Sequence, residues 1–323
     1  MTTLEAANVT ERVIREQFGY WRTAPEPAAR AAAGTHYVIV GCGTSYYLAQ
    51  ILAASFVLHG VSAQAVPGGE WARRRRAYAV SDAGTVVIAL SRSGESTETV
   101  QAVEISRAAG IPTVAITCEQ NSSIAHVADT VLFAPTHPSE GIVMSVSASL
   151  MIILGLRFAG IAVTDEAVRE AEALMNAFNA HLPAAIEGRS HFVYLGAGAL
   201  YGLAEEGALK LQEMSLSYSQ AYHPMEYRHG PISLVDGHTF AVLLYSEDTR
   251  EEEAKLAGEL IDKGAFVVGF GGPGTIEFAI AAPEDLRPLV ILPALQILGE
   301  QVARLKGLDT EAPRHLSKVV VLA

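Results

Sequence analysis

Three residues in the second half of the chain have the types and the spacing to move protons. Glu206, Lys210 and Glu213 stand at i, i+4 and i+7, so a helix lines them along one face. Their neighbours Leu203, Ala204, Gly207, Ala208, Leu209, Leu211 and Met214 are apolar or small. A solvated helix shows a broad polar face opposite its apolar stripe. A narrow charged stripe on an otherwise apolar helix instead predicts two carboxyls and an amine held in a cleft. The plain alternative is a set of surface pairs, worth about 0.3–0.5 kcal/mol each; it leaves the apolar surroundings unexplained.

A second constellation suits an anion. Ser91-x-Ser93-Gly94-x-Ser96 follows the apolar run Val86 to Leu90 and precedes the helical pattern Glu98 to Ala109. Hydroxyls and unbonded N–H groups at a helix N-terminus, backed by the helix dipole, form a phosphate site. Ser96 or Thr97 acting only as a helix cap is the alternative. Thr44 and Ser45 follow Gly41-Cys42-Gly43 at the neighbouring strand-to-helix turn and converge on the same sheet edge, where open α/β sheets bind ligands. His229, before Gly230-Pro231 and a short helix expected at Ile232 to Val235, reads alone as a structural histidine. Lys318, in Arg314-His315-Leu316-Ser317-Lys318, reads alone as solvated tail. The other histidines have no ligand spacing, so no metal is expected.

These residues need a scaffold, and the chain writes it twice. Tyr37 to Val40, Val86 to Leu90, Pro112 to Thr117 and Thr130 to Phe133 are apolar runs without polar alternation, separated by helical patterns. They predict an α/β fold with a parallel sheet covered on both faces. Val40 to Ala49 lines up with Leu195 to Ala204, Thr85 to Leu90 with Thr239 to Leu244, and Ala109 to Val114 with Lys263 to Val268. The expected organisation is an N-terminal helical segment at 1–34, a first domain at 35–182 and a second at 183–323, with a helical seam from Thr164 to Ala180 ending near Leu182-Pro183. The loop matching Ser91 to Ser96 reads Tyr245-Ser246-Glu247-Asp248-Thr249-Arg250, whose acids would repel a phosphate. Only the first copy is equipped for an anion.

Composition narrows the function. The chain has 323 residues, 50% of them apolar and 18% charged, enough for two folded domains. A net charge of −12 argues against nucleic acid as a partner. Cys42 and Cys118, the two cysteines, have no ligand spacing and read as reduced thiols. Met1 to Glu5 carries no basic segment before an apolar run, and the stretch from Met144 to Phe158 falls short of about 20 residues. A cytoplasmic protein without a membrane partner is expected.

Together, Cys42-Gly43-Thr44-Ser45-Tyr46, Ser91-x-Ser93-Gly94-Glu95-Ser96, Glu206 to Glu213, His229-Gly230-Pro231 and Pro313-Arg314-x-Leu316-x-Lys318 resemble the sugar isomerase (SIS) domain family. The resemblance spans roughly residues 35–323. It is strongest to the isomerase half of glucosamine-6-phosphate synthase and extends to the SIS-type glucosamine-6-phosphate deaminases. It implies two flavodoxin-like SIS domains and a phosphosugar ligand, with no cofactor. By the same resemblance Cys42, Gly43, Thr44, Ser45, Ser91, Arg92, Ser93 and Ser96 hold the phosphate, while Val143 and Ser317 meet the sugar. Glu213 is the base that shifts a proton between C1 and C2, Lys318 reacts with or polarises the open-chain carbonyl, and His229 assists ring opening. Lys210 and Glu206 support the acid/base work. A homodimer with sites at the subunit boundary is implied as well.

Three departures stand out. No glutaminase segment and no N-terminal Cys precede the first domain, Arg92 replaces the usual glutamine, and Ser147 replaces a lysine. The expected activity is isomerisation of an amino-sugar phosphate such as glucosamine 6-phosphate, to or from fructose 6-phosphate and ammonia. The alternatives are a fructosamine-phosphate deglycase and a non-catalytic sugar-phosphate sensor; retention of Glu213 and Lys318 disfavours the sensor.

Overall fold

The apolar runs form strands buried on both faces. In a computed structural model, which describes residues 8–79 and 81–320, helix α1 (Val9–Thr23) precedes a unit built from β1 (His36–Gly41), α2 (Thr44–Leu58), β2 (Ala63–Pro67), α3 (Gly68–Arg74), β3 (Thr85–Ser91), α4 (Thr97–Ala108), β4 (Thr113–Thr117), α5 (Ser123–Val127) and β5 (Thr130–Phe133). The first seven residues of the N-terminal segment and the last three of the tail lie outside the described residues. Next come α6 (Val146–Phe158), whose side chains are almost all buried, and α7 (Asp165–Ala185). The second unit comprises β6 (His191–Leu195), α8 (Ala199–Ser215), β7 (Ser219–Tyr222), α9 (Pro224–Tyr227), β8 (Thr239–Leu244), α10 (Arg250–Asp262), β9 (Phe266–Phe270) and β10 (Ile276–Phe278), and α11 (Arg287–Leu305) follows it.

Both sheets are parallel and share one topology. The first has the order β2-β1-β3-β4-β5 and the second β7-β6-β8-β9-β10, each the flavodoxin-like pattern with its switch point beside the first strand. The strands missing from the sequence reading, β2, β7 and β10, are all at sheet edges, where fewer apolar residues are needed.

Two local expectations are corrected. Helix α7 continues through Pro183 to Ala185, where Leu182 O caps the chain through the Ile186 N–H, instead of ending near Leu182-Pro183. Pro183 removes one N–H from the helix, and the buried Leu182, Ala185 and Ile186 around it keep the final turn packed. Pro231–Leu234 forms one 3₁₀ turn and not an α-helix, because Gly230 at φ 127° and extended Val235 bracket it after four residues.

The two units are related by an internal pseudo-twofold axis. Gly43 (φ 55°, ψ −130°) and Gly198 (φ 55°, ψ −127°) precede α2 and α8 at matching positions with matching backbones. The two helices cross where Tyr47 meets Gly202, which also match each other, and a Cβ on Gly202 would stand 2.8 Å from Tyr47 O and 2.9 Å from Ile51 N. Contact between equivalent positions is what a twofold axis through the crossing produces. Backbone atoms cannot swing aside like a long side chain, so Gly202→Val is expected to destabilise the fold by about 1–3 kcal/mol or more, read as a lower denaturant midpoint. An unchanged midpoint would mean the crossing is loose.

Candidate active site

Switch points open where neighbouring loops diverge. At the first sheet's switch point, the turns after β1 and β3 part and leave a cleft of about 250 Å³. Cys42, Gly43, Thr44 and Ser45 form one wall, and Ser91, Arg92, Ser93 and Ser96 form another. All eight residues expected around a phosphate therefore line one cavity.

Their hydrogen bonds suit an anion. Ser91 Oγ accepts from Gly94 N–H at 3.0 Å and Ser93 Oγ from Glu95 N–H at 3.2 Å, so each hydroxyl is oriented by the loop and keeps its own proton to donate. Ser96 occupies the N-cap position of α4 without a side-chain cap bond, and α2 starts at Gly43, which has no side chain to cap it. Two helix N-termini thus face the cleft with positive partial charge. Burial pushes the Cys42 thiol up, and it lines the wall as a neutral group.

Arg92 lines the cleft and is also anchored at its edge. Its guanidinium donates to Gly141 O at 3.0 Å, Ile142 O at 2.8 Å and Lys318 O at 3.3 Å, so it ties the 140–142 segment to the tail at the cleft's edge.

The opposite wall carries the carboxyls and amine of the charged stripe. Glu213 on α8 lines the cleft, and Lys210 Nζ donates to Glu213 Oε2 in a very short contact. Lys210 and Glu206 behind it are fully buried, with Nζ 3.6 Å from Glu206 Oε1. Neither oxygen of Glu206 has a hydrogen-bond partner of ordinary geometry; its polar neighbours are Lys210 and the Thr44 hydroxyl. Burial pushes Glu206 up to about 7, against the pull of the Lys210 ammonium and with help from Glu213. Burial draws the Lys210 ammonium down, but the Glu206 and Glu213 carboxylates outweigh it and hold it above its ordinary value.

Lys318 borders the same cleft from the tail, with Nζ donating to Glu140 O at 3.0 Å. Val143 is buried, while its neighbour Met144 lines the cavity; Ser317 is exposed and bonds Val319 O. His229 is exposed and is not among the cleft's lining residues. Among the described residues no group of three or more His, Cys, Asp or Glu is placed to hold a metal.

Glu98 and Val320, absent from the sequence reading of the site, line the cavity, as does Met144, and Glu140 organises its rim. The Glu140 carboxylate accepts from Ser145 N–H at 2.6 Å and Ser147 N–H at 3.0 Å. The signal was an acid five and seven residues before serines inside an apolar stretch.

The pseudo-axis supplies a built-in comparison. It carries Glu206, Lys210 and Glu213 onto Ile51, Ser55 and Leu58 of α2, and it carries the cleft onto a second cavity of about 420 Å³ between Val57, Leu58, Gly198, Ala199 and Glu284. That twin has neither the charged stripe nor the hydroxyl loop. In its place the buried Glu253 carboxylate takes the Ser246 N–H at 2.9 Å, and Glu247 pairs with Arg287.

The description "SIS domain" matches residues 32–156. A glucosamine-6-phosphate deaminase from Thermotoga maritima has a crystal structure that superposes with a TM-score of 0.83 at 30% identity, covering 98% of this chain and 100% of that one. The tagatose-6-phosphate ketose/aldose isomerase of Escherichia coli shares the fold at a TM-score of 0.76 and 23% identity, with 93% of each chain covered. Glutamine–fructose-6-phosphate aminotransferases match in sequence: that of Thermotoga maritima is 29% identical over 88% of this chain, that of Pseudomonas aeruginosa 31% over 99%. The chain spans about half the length of these curated relatives, 51% and 56%. With a full-length match at 30% identity and two parallel sheets of the same topology, the chain belongs to the SIS domain family.

Proposed function

We propose that the protein is a phosphosugar isomerase that converts an amino-sugar phosphate such as glucosamine 6-phosphate, with water, to fructose 6-phosphate and ammonia, or runs the reverse with free ammonia. The observation that carries this reading is the meeting, in one cleft, of an anion-binding wall on the first unit and the Glu213–Lys210–Glu206 stripe on the second. The units are taken as 35–182 and 183–323. The activity named for the Thermotoga maritima deaminase supports the choice of substrate.

The proposed chemistry uses this arrangement. Phosphate at Thr44, Ser45, Ser91, Ser93 and Ser96 sets the open-chain sugar with C1 and C2 toward α8. Glu213 takes the C2 proton of the aldehyde form, and the electron pair moves through the C1–C2 bond to the carbonyl oxygen, which gains a proton. Return of a proton to C1 leaves an imine at C2. Water adds there, and ammonia leaves as the C2 carbonyl forms. Lys318 assists at the carbonyl end after releasing Glu140 O, and the buried Lys210 ammonium keeps Glu213 in place.

Glu213→Gln is expected to lower kcat by about 10²–10⁴ in an assay of ammonia and fructose 6-phosphate, with substrate binding nearly unchanged. Ser93→Ala should instead weaken binding, because the phosphate contributes alike to ground and transition states. Normal turnover by Glu213→Gln would remove it as the base.

Glu206 makes stability depend on pH. Its folded pKa lies above the ordinary 4.5, so its contribution is full below that value and is lost as pH rises through about 7. Relative to Glu206→Gln, the parent should lose about 3 kcal/mol between pH 4.5 and 7.5. Parallel melting profiles across that range would contradict the burial argument.

His229 is read as serving the cleft of a partner subunit in a homodimer. Mixed Glu213→Gln and His229→Ala chains, refolded together, should recover part of the activity that each lacks alone. No recovery from dimers shown to be mixed would place His229 outside the reaction.

A further inference from the structure

Helix α1 lies outside both sheets and lines no part of the cleft, yet its polar side chains reach the two segments that frame it. Glu16 accepts from His137 Nε2 at 2.8 Å. The other ring nitrogen, Nδ1, accepts from Ser139 N–H at 3.0 Å, which puts the ring proton on Nε2. His137 O in turn accepts from the Glu140 N–H at 2.9 Å. At the next residue, the fully buried Gln17 donates to Gln296 Oε1 at 2.9 Å, and Gln296 donates to Ser145 O at 3.1 Å. At the start of the helix, Asn8 donates to Glu300 Oε1 at 2.5 Å and Thr310 Oγ1 at 3.2 Å, and Val9 N–H reaches Glu311.

These contacts converge. His137 and Ser145 flank Glu140, whose carboxylate holds the Ser145 and Ser147 amides and whose carbonyl holds Lys318 Nζ. Thr310 and Glu311 begin the tail that carries Lys318. We propose that α1 is a positioning element of the candidate active site, setting the 137–147 segment and the tail through Glu16–His137, Gln17–Gln296 and Asn8–Glu300. The proposal rests on the reading of the cleft as the phosphosugar site.

Anchoring alone does not explain the polar layer. Val13, Ile14, Phe18 and Trp21 already bury the apolar face of α1. Gln17 Oε1 and Glu300 Oε2 are buried without partners, which costs stability relative to apolar side chains of similar volume. What the polar contacts add is direction: those at His137 and Gln296 lead to Glu140 and Ser145 at the cleft's rim, and those at Asn8 lead to the start of the tail.

Hydrogen exchange tests this without reference to turnover. Glu16→Leu and Gln296→Met should speed exchange of the Ser145 and Ser147 amides by about tenfold, the worth of one lost hydrogen bond. Val38 and Ile39 in β1 should exchange as in the parent. Glu16→Gln, which still accepts from His137 Nε2, should restore the parent rate, and Arg12→Ala on the exposed face of α1 should leave it unchanged. Glu16 is half-exposed, so Glu16→Leu carries the test if Gln296→Met fails to fold. In the ammonia assay both variants should lower kcat about tenfold or more while inorganic phosphate binds as before. Parent-like exchange at Ser145 and Ser147 in the folded variants would overturn the proposal. Faster exchange in a protein whose parent does not deaminate glucosamine 6-phosphate would sustain the positioning and sink the functional reading instead.

Discussion

A lysine ammonium with no solvent contact constrains everything around it. Lys210 is fully buried in the middle of α8, and an isolated charge there would cost far more than the fold could bear. It survives because Glu206 and Glu213 lie one turn to either side on the same face. Removing one partner of such a set leaves an uncompensated buried charge, worth about 3–5 kcal/mol against the fold. The stripe is therefore fixed in geometry before any ligand arrives. Its one outlet is Glu213, which reaches the cleft while the other two stay dry. A carboxylate held this way faces the cleft without rearrangement.

The pseudo-twofold axis explains why there is one such site and not two. Each half has a switch point, a glycine-led helix and a loop after its third strand, so each could build a cleft against the other half's first helix. The copies then diverge in opposite senses. The first unit keeps hydroxyls and open helix N-termini, while its α2 carries Ile51, Ser55 and Leu58. The second unit keeps the charged stripe, while its own loop is closed by Glu253. Neither unit alone carries both parts, and the crossing at Gly202 sets the distance between them.

Much of this was legible in the sequence because it depends on local chemistry with a fixed period. Strands buried on both faces read as unbroken apolar runs, and the stripe on α8 reads from spacing alone. The edge strands β2 and β7 did not, since Ala63-Gln64-Ala65 and Ser219-Gln220-Ala221 lack the β-branched signal of a buried strand. The persistence of α7 past Pro183 was hidden too, because packing overrides the local penalty. Arg92 shows a deeper limit. Its place in the serine loop predicts an anion contact, while the carbonyls of two distant segments that hold its guanidinium could not be read there. Long-range partners of a long side chain leave no trace in its neighbours' spacing.

The tail joins the two themes. Lys318 follows α11 by only a short stretch, and no helix or strand holds it in place. Its position comes from Arg92 on its carbonyl, Glu140 O on its amine and the α1 contacts at Thr310 and Glu311. A group that must engage a carbonyl and then let go is better held by such replaceable bonds than by a rigid element. Glu213 stands on the largely buried helix α8, and Lys318 on a segment held by side-chain and carbonyl contacts alone. That division matches the two demands of the proposed reaction: Glu213 must sit at one distance from C1 and C2 throughout, whereas Lys318 meets an oxygen whose position changes as the ring opens and the carbonyl migrates.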